Sequence, residues 1–448
     1  MIDTRTALAR CQDLVALAQA VGADAADAVA RADASETVGM RLGKLEDVER
    51  SEGEEIGLRV FVGRRSASIH TSDFAPEGLR ALATRAVEMA RHAPEDQFAG
   101  LAGQEAQFAG DLPDLELDDP VQPAPETLRA AALATEDAAR AVDGVTNSNG
   151  ASASASRAVV ALATSTGFAR AYAGSGFSLS ASVIAGEGGA MQTDHASRSA
   201  RFFADLPHPS EVGREAGDRA VARLNPGSMP SRKMPVVFEP RIAGGLVGHL
   251  LAAMSAPAIA RKASFLLGRE DEALFDTAIR IVEDPLRRRG QRSRPFDGEG
   301  VACTARTLVE GGRVTGWLTN VASASQLGLG LTGHASRSGG GAPGVSAGNV
   351  HIEKGDITPA ALMADIDDGL YVTSLFGQGV NTVTGDYSRG ATGFRIRGGQ
   401  LAEPVAEITI AGNLLEMFKA LTPADDLEMI RSINAPTLRI DGMTVAGE

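Results

Sequence analysis

Cysteine is nearly absent from this 448-residue chain, which carries only Cys11 and Cys303. Two cysteines cannot build a disulfide framework or a cysteine-rich metal site, and their scarcity suits a reducing compartment. Aromatic residues are also sparse at 4%, while 51 glycines point to many turns and to β segments filled with small side chains. Basic residues are outnumbered, 43 against 57 acidic, and the formal charge of -14 repels nucleic acid over most of the surface. No uninterrupted apolar run is long enough for a membrane span: the least charged window, Ile242 to Ala260, is broken by two adjacent glycines, His249 and Pro257. The first residues, MIDTRTALARCQDL, spread charge throughout and lack the apolar centre of a signal peptide, so a cytoplasmic protein with no membrane partner and no nucleic-acid partner is expected.

An apolar content of 44% over this length supports two or three modules with a sizeable core. A helix from about Thr4 to Val21 would bury Leu8, Cys11, Leu14 and Val15. Period-two alternation follows at Ile56, Leu58, Val60 and Val62, and Pro76-Glu77 opens a helix with Leu79, Leu82, Ala86 and Met89 on one face. After the acidic, Pro-rich stretch Asp111 to Pro125 the pattern restarts. A helix runs from Pro125 to about Val142, strands are expected at Ala158 to Ala163, Phe168 to Ala173 and Phe177 to Ile184, and a helix at about Ser210 to Leu224. The segment Asn225 to Arg232 reads as a link. Beyond it lie short strands and glycine-rich turns, with helices expected only at the Ile242 segment, near Ala273 to Ile279, and at Pro359 to Asp367. The fold class is α+β: an N-terminal region with a doubled helix-sheet-helix pattern, in modules 1–120 and 121–230, and a mostly β domain over 231–448.

Several motifs suggest chemistry and fail on context. Gly344-Val345-Ser346-Ala347-Gly348 matches the nucleophile elbow of serine hydrolases, but that motif needs a strand before it and a helix after it, and a strand-like Asn349 to Ile352 follows here. Gly328, Gly330 and Gly333 satisfy a dinucleotide fingerprint, yet HASRSGGGAPG comes next and cannot start the helix that would face a pyrophosphate. The basic cluster Arg287, Arg288, Arg289, Arg292 and Arg294 is flanked by Glu283, Asp284, Asp297 and Glu299, so local neutralisation or the acidic surface of a partner chain is its expected use. Ser336 to Gly348 is too rich in glycine to pack and reads as a mobile loop. In a functional role it would be a flap over an extended peptide, with Gly344, Ser346, Asn349 and His351 as candidate peptide-binding residues and the strand Asn349 to Glu353 offering its edge.

The helix RIAGGLVGHLLAAMSAP, Arg241 to Pro257, carries one histidine and no partner for it. A zinc-protease helix needs two ligands on one face. His249 shares its face with Gly245, Leu246, Ala252 and Ala253; in the whole sequence no His precedes a Glu, and no two His lie within a helical turn. The plain reading of His249 is a core histidine bonded to backbone or water.

The surroundings of this helix give that absence its meaning. Asp368 to Ile396, DGLYVTSLFGQGVNTVTGDYSRGATGFRI, is followed by Ala411-Gly412-Asn413 and by the terminal APTLRIDGMTVAG. With Val236-Val237-Phe238 and Asp297-Gly298-Glu299-Gly300, these segments resemble the TldD/PmbA family, once called modulators of DNA gyrase, in order over nearly all of the chain. The resemblance implies two kinds of member. The TldD kind carries HExxxH on the matching helix and a Cys near the C-terminus as third zinc ligand. The positions here read Gly248, His249 and Ala253, and no Cys lies between Gly412 and Glu448. The chain therefore resembles the PmbA, or TldE, kind.

The resemblance implies a metal-free subunit with no catalytic residue and no cofactor of its own. It would pair in a heterodimer with a TldD-like chain that supplies the zinc and would act on unfolded or leader peptides, with Arg287, Arg288 and Arg289 as candidate partner contacts. The alternative is a stand-alone homodimeric peptide-binding or scaffold protein. Nothing in the sequence supports the gyrase label.

Overall fold

The computed structural model describes residues 2–339 and 341–447. Met1 and Glu448, at the bounds of the first and third modules, and Gly340, inside the glycine-rich segment, lie outside them. The protein is α+β with a β-rich C-terminal region.

The doubled pattern of the first half forms one sheet. Helix α1 (Thr4–Ala20), strands β1 (Ala25–Arg41), β2 (Lys44–Val62) and β3 (Arg65–Thr71), and helix α2 (Pro76–His92) make the first copy. Helix α3 (Pro125–Arg140), strands β4 (Val145–Thr164), β5 (Ala169–Ala185) and β6 (Gln192–Ala200), and helix α4 (Pro209–Ala222) make the second. Antiparallel pairing of β1 with β4 joins them in the order β3-β2-β1-β4-β5-β6. Both helix pairs cover the same face. Ala26, Ala28, Ala30 and Ala32 of β1 pack with Cys11, Leu14 and Leu82, while Val38 and Met40 on the same side meet Leu128 and Val212. Asp3 caps α1 through the Thr6 amide (2.7 Å), and α2 and α3 each begin on a proline followed by Glu77 or Glu126, as dipole and capping rules expect. Helices α3 and α4 touch through glycine, since a Cβ on Gly213 would stand 2.0 Å from the Thr135 carbonyl.

The second copy departs from expectation in its strands. The pieces expected at 168–173 and 177–184 are one strand, β5, because Gly174, Ser175 and Gly176 continue the pairing with Ala158, Arg157 and Ser156. The serine-rich stretches before 158 and after 191, to which no strand was assigned, pair as β4 and β6, with Ser152 and Ser180 (2.9 Å) and Ser154 and Ser178 (2.7 Å) bonded across strands. The outer side of β2 from Lys44 to Glu55 is unpaired among the described residues. It carries Glu46, Asp47, Glu49, Glu52, Glu54 and Glu55, charges that oppose edge-to-edge association.

In the C-terminal region, β7 (Arg232–Phe238) enters helices α5 (Pro240–Ala253) and α6 (Ala256–Ala260). Short strands β8 (Ile281–Glu283), β9 (Arg306–Glu310) and β10 (Arg313–Val314) lead to α7 (Val321–Leu327). The hairpin β11 (Ala335–Ser336) and β12 (Gly344–Val345), strand β13 (Val350–Ile352) and α8 (Pro359–Met363) come next. Long strands β14 (Asp368–Phe376), β15 (Asp386–Arg397) and β16 (Gln400–Asn413) precede α9 (Leu414–Lys419), and β17 (Leu421–Pro423), β18 (Ile433–Asn434) and β19 (Leu438–Ala446) end the chain. One sheet has the order β16-β15-β14-β7-β19-β17, and a further pairing of β16 with β19, Thr409 to Ala411 against Ala446 to Thr444, closes five of its strands into a ring. A second sheet has the order β10-β9-β8-β13-β18.

Four expectations are corrected here. The helix expected near Ala273 to Ile279 is a series of turns, because the amides of Leu274 and Phe275 both bond the Gly312 carbonyl instead of their own helix (2.8 and 3.1 Å). The helix expected over 241–257 stops at Ala253 and restarts at Ala256 with Pro257 in its first turn. Helices α7 and α9 were not expected; Asn320 and Asn413 cap them. The segment Ser336 to Gly348 is not a free flap on its near side. Arg337 is 4% exposed and pairs with Asp27 of β1, and a Cβ on Gly57 of β2 would stand 1.6 Å from the Gly339 carbonyl. Glycine-rich chain packs here because it lets backbone lie against backbone.

The uncovered side of β1, β2 and β4 receives the C-terminal region. Val29, Leu162 and Phe168 pack on Phe296, with the Phe168 and Tyr172 rings edge-on to it at 5.1 and 5.4 Å. Beside them lies a buried ionic cluster. Asp27 binds Arg59 and Arg337, and Arg59 reaches Glu299 at 3.2 Å.

Candidate functional site

Helix α5 starts on Pro240 and buries Ala243, Leu246, Val247, Leu250, Leu251 and Ala253 in the C-terminal core. That spacing turns Gly245 and Gly248 away from the core, and a Cβ on either would meet nothing within 4 Å. His249 is half-buried between these faces. Its ring lies edge-on to Tyr387 of β15, 6.0 Å between centroids, with no hydrogen-bond partner among the described residues. Of the two bonds expected for a core histidine there, to backbone or to water, the backbone bond is absent among the described residues, and the ring packs on an aromatic neighbour. Burial and the Arg389 charge both push its pKa below the usual histidine range, which disfavours the imidazolium form. Tyr387 is 2% exposed, its hydroxyl has no partner among the described residues, and burial pushes its pKa up to about 12. Sequence reasoning quoted the DYSRG run that holds Tyr387 and Arg389 but did not single either out; the signal available was their place in a segment that carries the family resemblance.

These residues do not suit a zinc ion. A divalent site needs three protein ligands on one centre, and among the described residues no three His, Cys, Asp or Glu side chains gather to hold a metal. Gly248 has no side chain, Ala253 is 1% exposed in the core, and the Arg389 cation beside His249 would repel a second positive charge.

The candidate peptide-binding residues are placed differently from one another. Gly344 lies in the exposed β12. The Ser346 carbonyl and hydroxyl face Arg294 (2.7 and 3.4 Å), and among the described residues no histidine is bonded to that hydroxyl to serve the elbow motif as a base. Asn349 is 2% exposed and fully engaged: its amide donates to the Asp284 carbonyl and the Ser293 hydroxyl (2.9 and 2.8 Å), and its oxygen accepts from the Arg292 amide (2.9 Å). His351 sits in β13, whose two sides pair with β8 and β18. Asn349 to Glu353 therefore has no free edge, and extended peptide cannot add to it.

The arginine cluster is neutralised from another quarter than its sequence neighbours. Arg288 pairs with Glu116 (2.8 Å). Arg289 pairs with Glu116 (2.8 Å) and Asp205 (2.9 Å) and lies over the Phe202 ring at 3.8 Å. Of the flanking acids, Asp297 accepts from the Glu299, Val301 and Ala335 amides, Glu299 reaches Arg59 across the domain contact at 3.2 Å, and Glu283 binds His334 at 2.6 Å. Arg287 makes no ion pair among the described residues.

Comparison with known proteins agrees over the whole chain. Residues 26–90, 118–224 and 231–447 match, in turn, domain 1, the central domain and the C-terminal domain of the PmbA/TldA metallopeptidases. The chain is 35% identical to the metalloprotease PmbA of Escherichia coli O157:H7, over 92% of this chain and 90% of that one. It is also 35% identical to a PmbA homologue of Haemophilus influenzae, over 97% and 94%. In fold it is similar to a crystal structure from Bacteroides thetaiotaomicron described as a modulator of DNA gyrase (TM-score 0.91, 24% identity, 100% of both chains) and to TldE of Thermococcus kodakarensis (TM-score 0.85, 20% identity, 98% and 100%). With three domain matches in order and relatives of this identity over nearly full length, the chain belongs to the PmbA/TldD family.

Proposed function

We propose that this chain is the subunit that holds no zinc in a heterodimeric TldD-PmbA metalloprotease of the cytoplasm, acting on unfolded or leader peptides. The observation that carries the reading is the environment of α5: at Gly248, His249 and Ala253 the chain offers one imidazole, set against Tyr387 and next to the Arg389 cation. A TldD-like partner would supply two His, one Cys, the zinc-bound water and the Glu base. This chain would complete the chamber around extended peptide and keep folded proteins out by size. Two buried, unbonded cysteines and the absence of any described helix long and apolar enough to cross a membrane support a reducing compartment and an aqueous location.

The test is a peptidase assay on a casein-like or leader-peptide substrate with this chain alone, a TldD-like chain alone, and both together, each with and without chelator. Cleavage only in the mixture and only without chelator is the expected result. Chelator-resistant cleavage by this chain alone would overturn it, and failure of the two chains to associate would point instead to a stand-alone homodimeric peptide-binding protein.

A further inference from the structure

The two edges of the N-terminal sheet are finished differently. On the outer side of β6, side chains cap the carbonyls: Arg223 donates to Thr193 (2.9 Å), Arg219 and Arg241 both to His195 (3.3 Å each), and Gln291 to Ser199 (3.3 Å). Another strand cannot add there. At the opposite end β3 pairs only with Ile56 to Val62 of β2, so Lys44 to Glu55 has β1 on one side and no strand on the other among the described residues. The register tells which groups of that edge are free. Val62 and Arg65 flank the two-residue turn between β2 and β3 as a hydrogen-bonded pair, and bonding alternates along an antiparallel ladder, so β3 takes the outward groups of Ile56, Leu58, Val60 and Val62. In step with these, Val48, Arg50, Glu52 and Glu54 direct their N–H and C=O groups outward, with no backbone partner there among the described residues.

The side chains along this edge differ between the two faces of the sheet. Val48 pairs with Val38, which belongs to the helix-side core with Leu128, so Val48, Arg50, Glu52 and Glu54 lie on the side of the helices. The carboxylates of that side are already paired, Glu52 with Arg50 (2.6 Å) and Glu54 with Arg10 (2.9 Å). Leu45 and Val48 stand open there, 47% and 49% exposed. On the other side Asp47 and Glu49 make no ion pair among the described residues, and neither does Asp33 of β1. Asp33 sits opposite Gly53, and its carboxylate would lie 3.2 Å from a Cβ placed there, so the missing side chain opens its way toward the edge. A strand laid along β2 therefore meets paired and apolar groups on one face and three unpaired carboxylates on the other. Like charge keeps a second copy of β2 away. A strand with a cation at every second residue and apolar residues between them suits both faces.

We propose that the free edge of β2 from Val48 to Glu54 binds an extended polypeptide segment of alternating basic and apolar residues, adding it to the sheet as a further strand. The site stands on this chain's residues alone and does not depend on a zinc-bearing partner. The test is fluorescence anisotropy of the full chain with a labelled octapeptide of alternating Lys and Val. One control has Glu for each Lys; the other keeps Lys but is N-methylated at every backbone amide, so it holds the charge and loses the donors. The Lys-Val peptide should bind about tenfold or more tightly than either control, the scale of a few hydrogen bonds and exposed ion pairs, and lose affinity as salt rises. Arg50→Pro removes an outward N–H that serves no ladder bond, so Tm should hold while affinity falls about tenfold. Since that change also removes a positive charge, electrostatics cannot cause the loss. Asp47→Asn with Glu49→Gln should weaken binding about fivefold, the scale of two exposed ion pairs, and this variant carries the test if the proline lowers Tm. Equal binding of the N-methylated peptide, or full affinity in both variants, would overturn the proposal. Self-association of the chain that Arg50→Pro abolishes would overturn the assignment of the edge to a basic strand and give it to a second copy.

Discussion

Replacing Arg337 by Met should uncouple the two halves of the molecule. Arg337 sits in the C-terminal region, 4% exposed, and its partner Asp27 in β1 is fully buried. Asp27 also accepts from Arg59, at 3.0 Å from Nε and 2.5 Å from Nη2, and Arg59 is shared with Glu299. The cluster thus holds two cations and two anions, and Arg337→Met leaves it one positive charge short. Breaking a buried pair from one side costs about 3–5 kcal/mol, and because Asp27 keeps Arg59 the lower end, about 3, applies. Asp27→Asn strands Arg337 without a carboxylate and should cost about 4 on the same scale. The double variant retains a matched Arg59 and Glu299, so its loss should fall short of the sum by about 2 kcal/mol. Urea unfolding followed by circular dichroism and by the single tryptophan, Trp317, reads this directly, since Trp317 lies in the C-terminal core and circular dichroism reports both regions. The two probes should share a midpoint in the wild-type chain and separate in Arg337→Met. Additivity within about 0.5 kcal/mol, with coincident probes in every variant, would refute the coupling.

Three further outcomes are expected. Burial raises the Asp297 pKa to about 7, even though its carboxylate accepts from the Glu299, Val301 and Ala335 amides. A raised folded-state value stabilises at low pH and is lost as pH rises from about 4 to about 7, so Asp297→Asn should cost less at pH 8 than at pH 5 by denaturant titration; an equal or larger cost at pH 8 would reverse the sign of the argument. Burial also raises the Cys11 thiol to about 12 and Cys303 to about 11, so neither should react with a thiol reagent at pH 8 until the chain is unfolded, and rapid native labelling would contradict their placement. The triple change Gly248→His, His249→Glu, Ala253→His should leave zinc well below one ion per chain by elemental analysis: the Cys ligand and its supports are absent, Ala253 points into the core and Arg389 stays beside the site. Tight, stoichiometric zinc would show that α5 needs only those three residues.

The fold was legible where local rules act alone. Helices α1 to α4 lie within a few residues of their expected bounds, because prolines at the start, an Asp cap and a 3.6-residue apolar period are local signals. The serine-rich β4 and β5 were not fully legible. Small polar residues resemble loop in composition, yet on a pleated strand they bond to their counterparts across the ladder. On α5 the absence of a second histidine was legible directly. The partners that define its surroundings were not: Tyr387 lies on a distant strand, β15, joined to the β7 that leads into α5 through the pairing of both with β14.

Sequence distance also explains why the carboxylates that pair with the arginines were not legible. Charge patterning weighs neighbours along the chain, and it set Arg287 to Arg294 against Glu283, Asp284, Asp297 and Glu299. In the folded protein Asp297 is taken by the Glu299, Val301 and Ala335 amides, Glu299 is drawn to Arg59 in the domain contact, and Glu283 is consumed by His334. Arg288 and Arg289 take their carboxylates from Glu116 and Asp205 instead. Arg287, just before them in sequence, makes no ion pair among the described residues, because the carboxylate that decides a guanidinium's pairing is the one the fold brings to it and not the one beside it in the chain.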